Sequence, residues 1–274
     1  MITWIASYPK SGNTYLRSLI SAYFFSDSGK FDFDMLLNIL QFPSLKFSKN
    51  DLFSKKDAAQ NWILNQNHFF SKKNIFLKTH NTLREYEGYK FTSLKQTSGA
   101  IYIVRDPRNV ITSLKNHYKF DNYDDALKFL LDDRKVIGIK NSEKEVDLPH
   151  IISSWKNHFN SWKKMEKNYL LIKYENLLST PEVEFEKITN YIETIFDRKF
   201  EKKRVLDAIN MNSFDKLKDL EKENGFKEAP KFSGSPISFF NLGKKNNWKN
   251  LLNPEIEKKI RIEFNKEMKE LNYI

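Results

Sequence analysis

The chain has 274 residues, a formal net charge of +11 and a hydrophobic fraction of 40%, which is enough to bury a core and excludes a disordered chain. It contains no Cys, which excludes structural disulfides, thiolate zinc sites and cysteine nucleophiles. The positive charge favours an anionic partner such as a nucleic acid, a membrane surface or a phosphorylated small molecule.

Nothing in the sequence divides the chain, because it has neither a repeat nor a linker rich in Pro, Gly or Ser. We therefore expect one domain over residues 1–274. No apolar stretch has the length that a membrane span needs. Met1 leads directly into the first motif, without the pattern of a secretory leader. These observations predict a cytoplasmic protein without a transmembrane segment.

Apolar periodicity and helix-start signals predict short strands that alternate with helices. In chain order they are a strand at 2–7, a helix at 14–25, a helix at 57–70, a strand at 75–78, a strand at 100–104, a helix from Asp106-Pro107, a helix at 151–167, a strand at 169–174, a helix from Thr180-Pro181 and a helix from Asn253-Pro254. Residues 26–56 are predicted to be irregular, with aromatic side chains that suit either a pocket wall or the core. Residues 121–150 are predicted to be charged and partly mobile. This alternation is typical of an α/β fold with a mostly parallel sheet covered on both faces.

Polar side chains stand where the predicted strands end. They are Lys10, His80, Arg105 and Tyr174. In open parallel sheets, ligands bind beyond the carboxyl ends of the strands. The sequence therefore predicts a ligand site at this edge of the sheet.

The first strand and the first helix are joined by Tyr8-Pro9-Lys10-Ser11-Gly12-Asn13-Thr14. Unpaired amides at a helix start, together with the helix dipole, attract anions. Gly12 permits a close backbone approach, and Lys10 adds a full charge. The alternative is an ordinary strand–turn–helix link with an exposed lysine. The stretch is not a Walker A loop, because that motif places its lysine after a second glycine.

This stretch resembles the 5′-phosphosulfate-binding loop of the sulfotransferases that use 3′-phosphoadenosine 5′-phosphosulfate, whose pattern is Y-P-K-S-G-[TN]-T-W. The only departure is Tyr15 in the place of the Trp. The resemblance implies that the sulfuryl donor is bound by Lys10, Ser11, Gly12, Asn13, Thr14 and Tyr15.

Two further stretches resemble motifs of the same family. Arg105-Asp106-Pro107-Arg108-Asn109, followed by Ser113, resembles its 3′-phosphate site. Arginine suits a phosphate because its planar fork donates two parallel hydrogen bonds. Lys78-Thr79-His80 resembles the segment that places a histidine beside the acceptor hydroxyl as general base. The other histidines have no comparable surroundings in the sequence; they are His68, His117, His150 and His158.

Weaker matches concern the purine. Lys173-Tyr174-Glu175 resembles a segment whose tyrosine contacts the adenine. Asn212-Ser213-Phe214 resembles a segment whose aromatic ring stacks on the base, although Phe214 equally suits the core. Ser154-Trp155, with His158 and Trp162, matches a family helix, which we interpret as packing.

The family's R-K-G-x-x-G-D-W-K-N segment is matched only in part, by residues 241–250. Gly243 is kept, but Asn241-Leu242 replaces the Arg-Lys pair that grips the 3′-phosphate. Lys244 and Lys245 are interpreted as supplying that charge from the following positions. The family's short dimer motif, which would start at Lys249, is not matched, and the oligomeric state stays open.

The resemblance implies a P-loop-like α/β fold: a single domain with a central parallel sheet flanked by helices, and the phosphosulfate-binding loop between the first strand and first helix. It implies in-line transfer of a sulfuryl group from 3′-phosphoadenosine 5′-phosphosulfate, as co-substrate, to a hydroxyl or amine of a small-molecule acceptor. Adenosine 3′,5′-bisphosphate is the implied product, and no metal is required. The implied catalytic residues are His80 as base, Lys10 at the leaving phosphate and Lys78 at the transferred group. Residues 26–73 and 119–150 are implied to shape the acceptor pocket.

Two other classes of function stay open on the residues alone. A P-loop small-molecule kinase needs a magnesium-binding carboxylate at a strand end, and the candidate is Asp106, which a helix cap explains better. A nucleic-acid-binding protein is suggested by the net charge. However, Lys is spread along the chain and locally balanced by acidic residues, which disfavours a nucleic-acid partner.

Overall fold

A parallel sheet occupies the centre of the fold. The computed structural model describes residues 1–47, 54–69, 74–138, 148–165, 168–196, 199, 201–229 and 238–274. The strands in chain order are β1 (Ile2–Ala6), β2 (Leu40–Gln41), β3 (Ile75–Thr79), β4 (Glu85–Tyr86), β5 (Tyr89–Lys90), β6 (Thr97–Val104), β7 (Val136–Ile137), β8 (His150–Ile151) and β9 (Tyr169–Lys173). The central five-stranded sheet has the order β2-β3-β1-β6-β9 with all neighbours parallel, while β4-β5 and β7-β8 are antiparallel pairs. All five parallel strands therefore end at one edge of the sheet.

Helices connect these strands. They are α1 (Asn13–Phe25), α2 (Lys55–Gln66), α3 (Pro107–Tyr118), α4 (Tyr123–Leu131), α5 (Trp155–Trp162), α6 (Tyr174–Ser179), α7 (Pro181–Phe196), α8 (Lys202–Met211), α9 (Phe214–Asn224), α10 (Trp248–Leu251), α11 (Pro254–Glu263) and α12 (Asn265–Glu270). Short 3₁₀ turns occupy Phe33–Asn38, Leu45–Phe47, Asn67–Phe69 and Gly243–Lys245. Among the described residues, no helix has the length and apolarity needed to cross a membrane.

The core lies on both faces of the sheet, since successive side chains of a strand point to opposite sides. On one face, Trp4 packs with Phe42, Phe91 and Trp162, at ring-centroid distances of 5.7, 5.1 and 6.5 Å. On the other face, Ile5 belongs to a separate cluster with residues of α1, α7 and α8. Fully covered strands explain why the predicted strands are continuous apolar runs.

The predicted alternation of strands and helices is confirmed, and so is the parallel sheet. The first strand and first helix lie within one residue of their predicted bounds. Asp106 caps α3 through a hydrogen bond from the Arg108 amide at 2.9 Å, with Pro107 as the first helical residue. The described aromatic residues of the stretch predicted to be irregular pack in the core or against it: Phe33 packs on Phe240, and Phe42 lies within the Trp4 cluster.

Several predicted bounds are wrong. The stretch 26–56 contains β2, which is too short for a periodic signal, and 121–150 contains α4, an amphipathic helix capped by Asn122. The helix predicted at 151–167 covers only Trp155–Trp162, because Ser154 caps it and residues 150–151 pair as a strand.

Tyr174 begins α6 and does not end β9. The last predicted helix is broken at Phe264 into α11 and α12. Residues 48–53 and 139–147 lie outside the described residues.

Candidate active site

The β1–α1 loop (residues 7–12) turns sharply because two of its residues have left-handed backbone conformations. Lys10 has a φ of 64° and Gly12 a φ of 97°. Space also excludes a side chain at Gly12, since an added Cβ would lie 2.2 Å from a ring carbon of Tyr174. The loop backbone thus packs directly on the Tyr174 ring, and glycine is required at this position.

Helix α1 begins without a side-chain cap, because its N-cap residue is Gly12. Its first-turn amides have no intrahelical acceptors, and the positive end of the helix dipole lies there. Ser11 is buried, and its Oγ has no hydrogen-bond partner in the described part of the chain. The Asn13 side chain is also engaged within the fold: its Nδ2 donates to the Ile5 carbonyl and to Ser7 Oγ, each at 3.2 Å. The Asn13 amide group therefore ties the helix start to β1.

Arg105 follows β6 and contacts both the loop and Tyr174. Its Nη1 donates to the Lys10 carbonyl at 3.0 Å, and its guanidinium carbon lies 4.5 Å from the Tyr174 ring centroid. Its Nε is buried and has no partner among the described residues. Arg105, together with Ser113 of α3, lines one cavity, which lies at the carboxyl edge of the sheet. A buried arginine with an unused donor, close to uncapped amides, is suited to bind a phosphate.

The Lys10 ammonium lies between an imidazole and an aromatic ring. Its Nζ is 3.2 Å from His117 Nδ1 and 4.0 Å from the centroid of the Phe239 ring. Burial, followed by the charges of Arg105 and Lys78, lowers the Lys10 pKa to about 7. Burial and then the charge of Lys10 lower the pKa of His117 to about 3, so this ring is neutral and accepts the hydrogen bond. Positive charge is crowded at this point, and an anion bound there would relieve the repulsion.

A glutamate joins the second lysine of the site to a buried arginine. Lys78 Nζ lies 3.1 Å from Glu228 Oε2, and Arg17 Nη1 lies 2.8 Å from Glu228 Oε1. Burial raises the Glu228 pKa, but Lys78 and Arg17 outweigh it and hold that pKa below its usual range. The carboxylate is therefore ionised and offsets part of the positive charge of the cavity.

His80 immediately follows β3, and its ring is oriented by Ser7. Its Nδ1 lies 2.8 Å from the Ser7 carbonyl oxygen and 3.3 Å from Ser7 Oγ. Because a carbonyl only accepts, Nδ1 carries the hydrogen, and Nε2 keeps its lone pair. Burial and then Lys78 lower the His80 pKa well below its usual value, so the ring is neutral. A neutral imidazole whose Nε2 carries no hydrogen can accept a proton from a bound molecule.

The cavity of about 450 Å³ lies at the carboxyl edge of the sheet. Of the charged and imidazole groups described above, its wall contains Lys10, Lys78, His80, Arg105, His117 and Glu228. The predicted site residues on its wall are Lys10, Gly12, Asn13, Thr14, Tyr15, Lys78, His80, Arg105, Ser113, Tyr174, Phe214 and Gly243. Phe214 covers Gly243 closely, since a Cβ there would lie 2.5 Å from the ring. Residues from three strand–helix junctions and from the 240–246 segment thus converge on one space.

Some residues predicted to bind the donor are not on the cavity wall, and the buried Ser11 is one of them. Ser213 caps α9 by accepting from the Lys216 amide at 3.4 Å and does not line the cavity. Lys245 is exposed and also lies off the wall, while the side chain of Lys244 is outside the described residues. Asn246, which was not predicted, lines the cavity and accepts from Thr112 Oγ1 at 2.5 Å.

Residues 2–272 match the family model described as the sulfotransferase domain. The chain belongs to the sulfotransferase family. Its membership confirms the family predicted from the Tyr8–Thr14 stretch, and the parallel sheet confirms the predicted fold class.

Two curated relatives of this sulfotransferase domain are plant proteins. The chain is 28% identical to Cytosolic sulfotransferase 7 of Arabidopsis thaliana over 268 residues, which covers 93% of this chain and 74% of the relative. It is 25% identical to Flavonol 3-sulfotransferase of Flaveria bidentis over 268 residues, which covers 94% of this chain and 78% of the relative.

Solved structures share the fold of the sulfotransferase domain. Retinol dehydratase in complex with androsterone and the inactive cofactor PAP has a TM-score of 0.63 at 16% identity, covering 98% of this chain and 80% of that chain. Mouse sulfotransferase SULT7A1 complexed with PAP has a TM-score of 0.61 at 20% identity, covering 98% of this chain and 84% of that chain. At these identities the likeness establishes the fold alone.

Two histidines without sequence context, His117 and His150, lie at the sulfotransferase site, and a third, His158, contacts His80. His117 accepts from Lys10, and His150 lines the cavity. His158 Nε2 donates to the His80 carbonyl at 3.1 Å, and its Nδ1 lies 2.8 Å from the Tyr102 hydroxyl. Trp155 and Trp162, which flank His158 in the matched helix, are fully buried, as expected for packing residues. No local pattern signals His117 or His150, because tertiary contacts alone bring them to the cavity.

Proposed function

We propose that the chain transfers a sulfuryl group from 3′-phosphoadenosine 5′-phosphosulfate to a hydroxyl or amine of a small-molecule acceptor. One observation carries the proposal: the neutral His80 and the cationic β1–α1 loop line the same cavity. A base for the acceptor proton and a site for the phosphates of the donor are thereby available together.

The residues present fit the donor. Ser11 Oγ and Arg105 Nε are buried donors without partners among the described residues, and buried donors are normally satisfied. A ligand with phosphate oxygens in the cavity would satisfy Arg105, which lies on the cavity wall. The uncapped start of α1 and the lysine at the loop add favourable charge. The Phe214 and Tyr174 rings on the wall offer flat surfaces for a purine.

Each residue then has a chemical role. The bound donor supplies a sulfuryl group on an activated phosphate oxygen. The amides of residues 11–14 hold the 5′-phosphate, and Arg105 with Ser113 holds the 3′-phosphate. Lys10 stabilises the negative charge that grows on the phosphate side, and Lys78 neutralises the transferred group. His80 Nε2 takes the proton of the acceptor, while Ser7 keeps the ring in the required tautomer.

The domain organisation, the location and the acceptor class also belong to the proposal. We propose that residues 1–274 form one sulfotransferase domain. The Arabidopsis thaliana relatives carry the word cytosolic in their names, and a cytoplasmic location is proposed for this chain. The relatives' and neighbours' names include a flavonol, retinol and androsterone, which supports a small organic acceptor.

Nucleotide selectivity tests the proposal. Calorimetry should find that adenosine 3′,5′-bisphosphate binds about 10- to 100-fold more tightly than adenosine 5′-phosphate, because the 3′-phosphate gains charge-assisted hydrogen bonds from Arg105. Arg105→Ala should remove most of the difference. Arg134→Ala, at an exposed position off the cavity wall, should leave it unchanged. Equal affinities in the wild type would contradict the assignment of Arg105. Phosphoryl transfer from a nucleoside triphosphate that requires added magnesium would favour a small-molecule kinase instead.

A further inference from the structure

A pair of polar side chains forms the cavity wall away from the β1–α1 loop. Gln41 ends the edge strand β2, where it pairs with Lys78 in the sheet register. His150 begins β8, and its backbone pairs with Ile137. Gln41 Nε2 lies 3.1 Å from His150 Nε2, and both residues line the cavity that contains His80. Two chain segments over a hundred residues apart therefore present one hydrogen-bonded pair to the interior.

The His150 ring has unused hydrogen-bonding capacity. The residue is only 2% exposed, and its Nδ1 has no hydrogen-bond partner in the described part of the chain. The Gln41 amide nitrogen donates to Nε2, which leaves the hydrogen of the neutral ring on Nδ1. If the amide is turned over, Nδ1 becomes a free acceptor instead. In both cases one buried ring nitrogen lacks a partner among the residues that the structure describes, and such groups are normally satisfied.

The pair is neutral. Burial and then the charge of Lys78 lower the His150 pKa to about 3, so the ring carries no charge at ordinary pH. The neighbouring backbone keeps it close to the catalytic edge: the Thr82 amide donates to the Ile151 carbonyl at 2.8 Å, and the Ile151 amide donates to Asn81 Oδ1 at 2.8 Å. His150 thus lies beside the segment that directly follows His80.

We infer that Gln41 and His150 form a subsite for a second, neutral polar group of the acceptor, close to the hydroxyl that reacts. The inference rests on the proposed function and narrows the acceptor to small molecules with two hydrogen-bonding groups near each other, such as a diol on one ring. A purely apolar acceptor would leave the His150 nitrogen without a partner. Tyr118 and Phe239 on the wall suit a flat ring between the two polar ends.

Phenol and the three benzenediols are the probes. We measure kcat/KM for sulfuryl transfer to each probe, and equilibrium binding of each probe with and without adenosine 3′,5′-bisphosphate. At least one diol should exceed phenol about tenfold per hydroxyl group, in both turnover and binding, because it gains one satisfied buried hydrogen bond. His150→Phe and Gln41→Leu should each reduce that preference to about twofold or less.

Ile137→Val is the matched control, since Ile137 lines the same wall without a polar group, and it should keep the diol preference. Gln41→Leu leaves the buried His150 in place, so the test stands even where His150→Phe fails to fold. Equal binding of phenol and all diols, including no binding by any, overturns the inference. A preference that survives in the folded variants also overturns it. Diol-selective binding without any sulfuryl transfer would contradict the proposed function while leaving the subsite supported.

Discussion

Two halves of the cavity are built in different ways. The loop half (residues 9–15, Arg105, Ser113 and Tyr174) lies at strand–helix junctions on one edge of the sheet. The hairpin half (Gln41, Ile137 and His150) comes from an edge strand and a two-residue antiparallel pair. The loop half presents uncapped backbone amides and full charges, and each of its parts is local in sequence. The hairpin half is assembled by contacts between distant segments.

His80 lies between the halves, and its removal should have the largest effect. His80→Ala should lower turnover by about 10²- to 10⁴-fold, because the general base is lost. The affinity for adenosine 3′,5′-bisphosphate should barely change, since the loop half is intact. Turnover assays and calorimetry on the same preparation check both statements. His68→Ala, at an exposed histidine off the cavity wall, is the control. A variant that keeps its turnover, or that loses the nucleotide as well, would break the division into halves.

Removing the Lys10 ammonium tests how much the charge of the loop half contributes to turnover. Lys10→Ala should lower turnover by about 10²- to 10³-fold, with a smaller loss of donor affinity, because the charge it meets grows as the bond breaks. In the wild type, the Lys10 pKa of about 7 lies below its ordinary value, so the ammonium loses its proton as the pH rises through 7. The donor's kcat/KM should fall over that range.

Lys10→Arg supplies the matched control, since arginine stays charged at every accessible pH. Its profile should lack the fall near pH 7, whatever its absolute rate. The His80 pKa lies well below 6.5, so the loss of activity in acid should also begin below the pH at which a free histidine titrates. An unchanged fall in Lys10→Arg would assign it to another group.

Substitution of Glu228 should have the smallest effect, because this carboxylate only offsets part of the positive charge of the cavity. Glu228→Gln removes the ion pairs with Arg17 and Lys78 and should lower the free energy of unfolding by about 1–2 kcal/mol, a value reduced by partial exposure. Donor affinity should rise, since a negative charge leaves an anion site. Chemical denaturation and donor titration measure the two changes. A variant with tighter folding and weaker donor binding would show that Glu228 has another role.

The sequence predicts the loop half because phosphate recognition needs few, adjacent residues. A lysine, a glycine and a helix start within seven positions define the β1–α1 loop, and the capped start of α3 places Arg105 and Ser113. The hairpin half has no such signal: β2 is two residues long, and nothing near His150 in the sequence indicates that Gln41 will meet it. Ser213 shows the reverse case, in which a matched residue has a structural use as a cap.

The left-handed backbone conformation of Lys10 lowers the stability of the fold, although the proposed reaction needs the lysine side chain at this position. A residue with a side chain in this conformation loses about 1 kcal/mol relative to glycine, and the φ of 64° places Lys10 there. Lys10→Gly should therefore raise the melting temperature while removing the ammonium. A library selected for thermostability alone would drift towards glycine at this position and yield robust, inert proteins. Engineering of this enzyme accordingly needs an activity screen at every round.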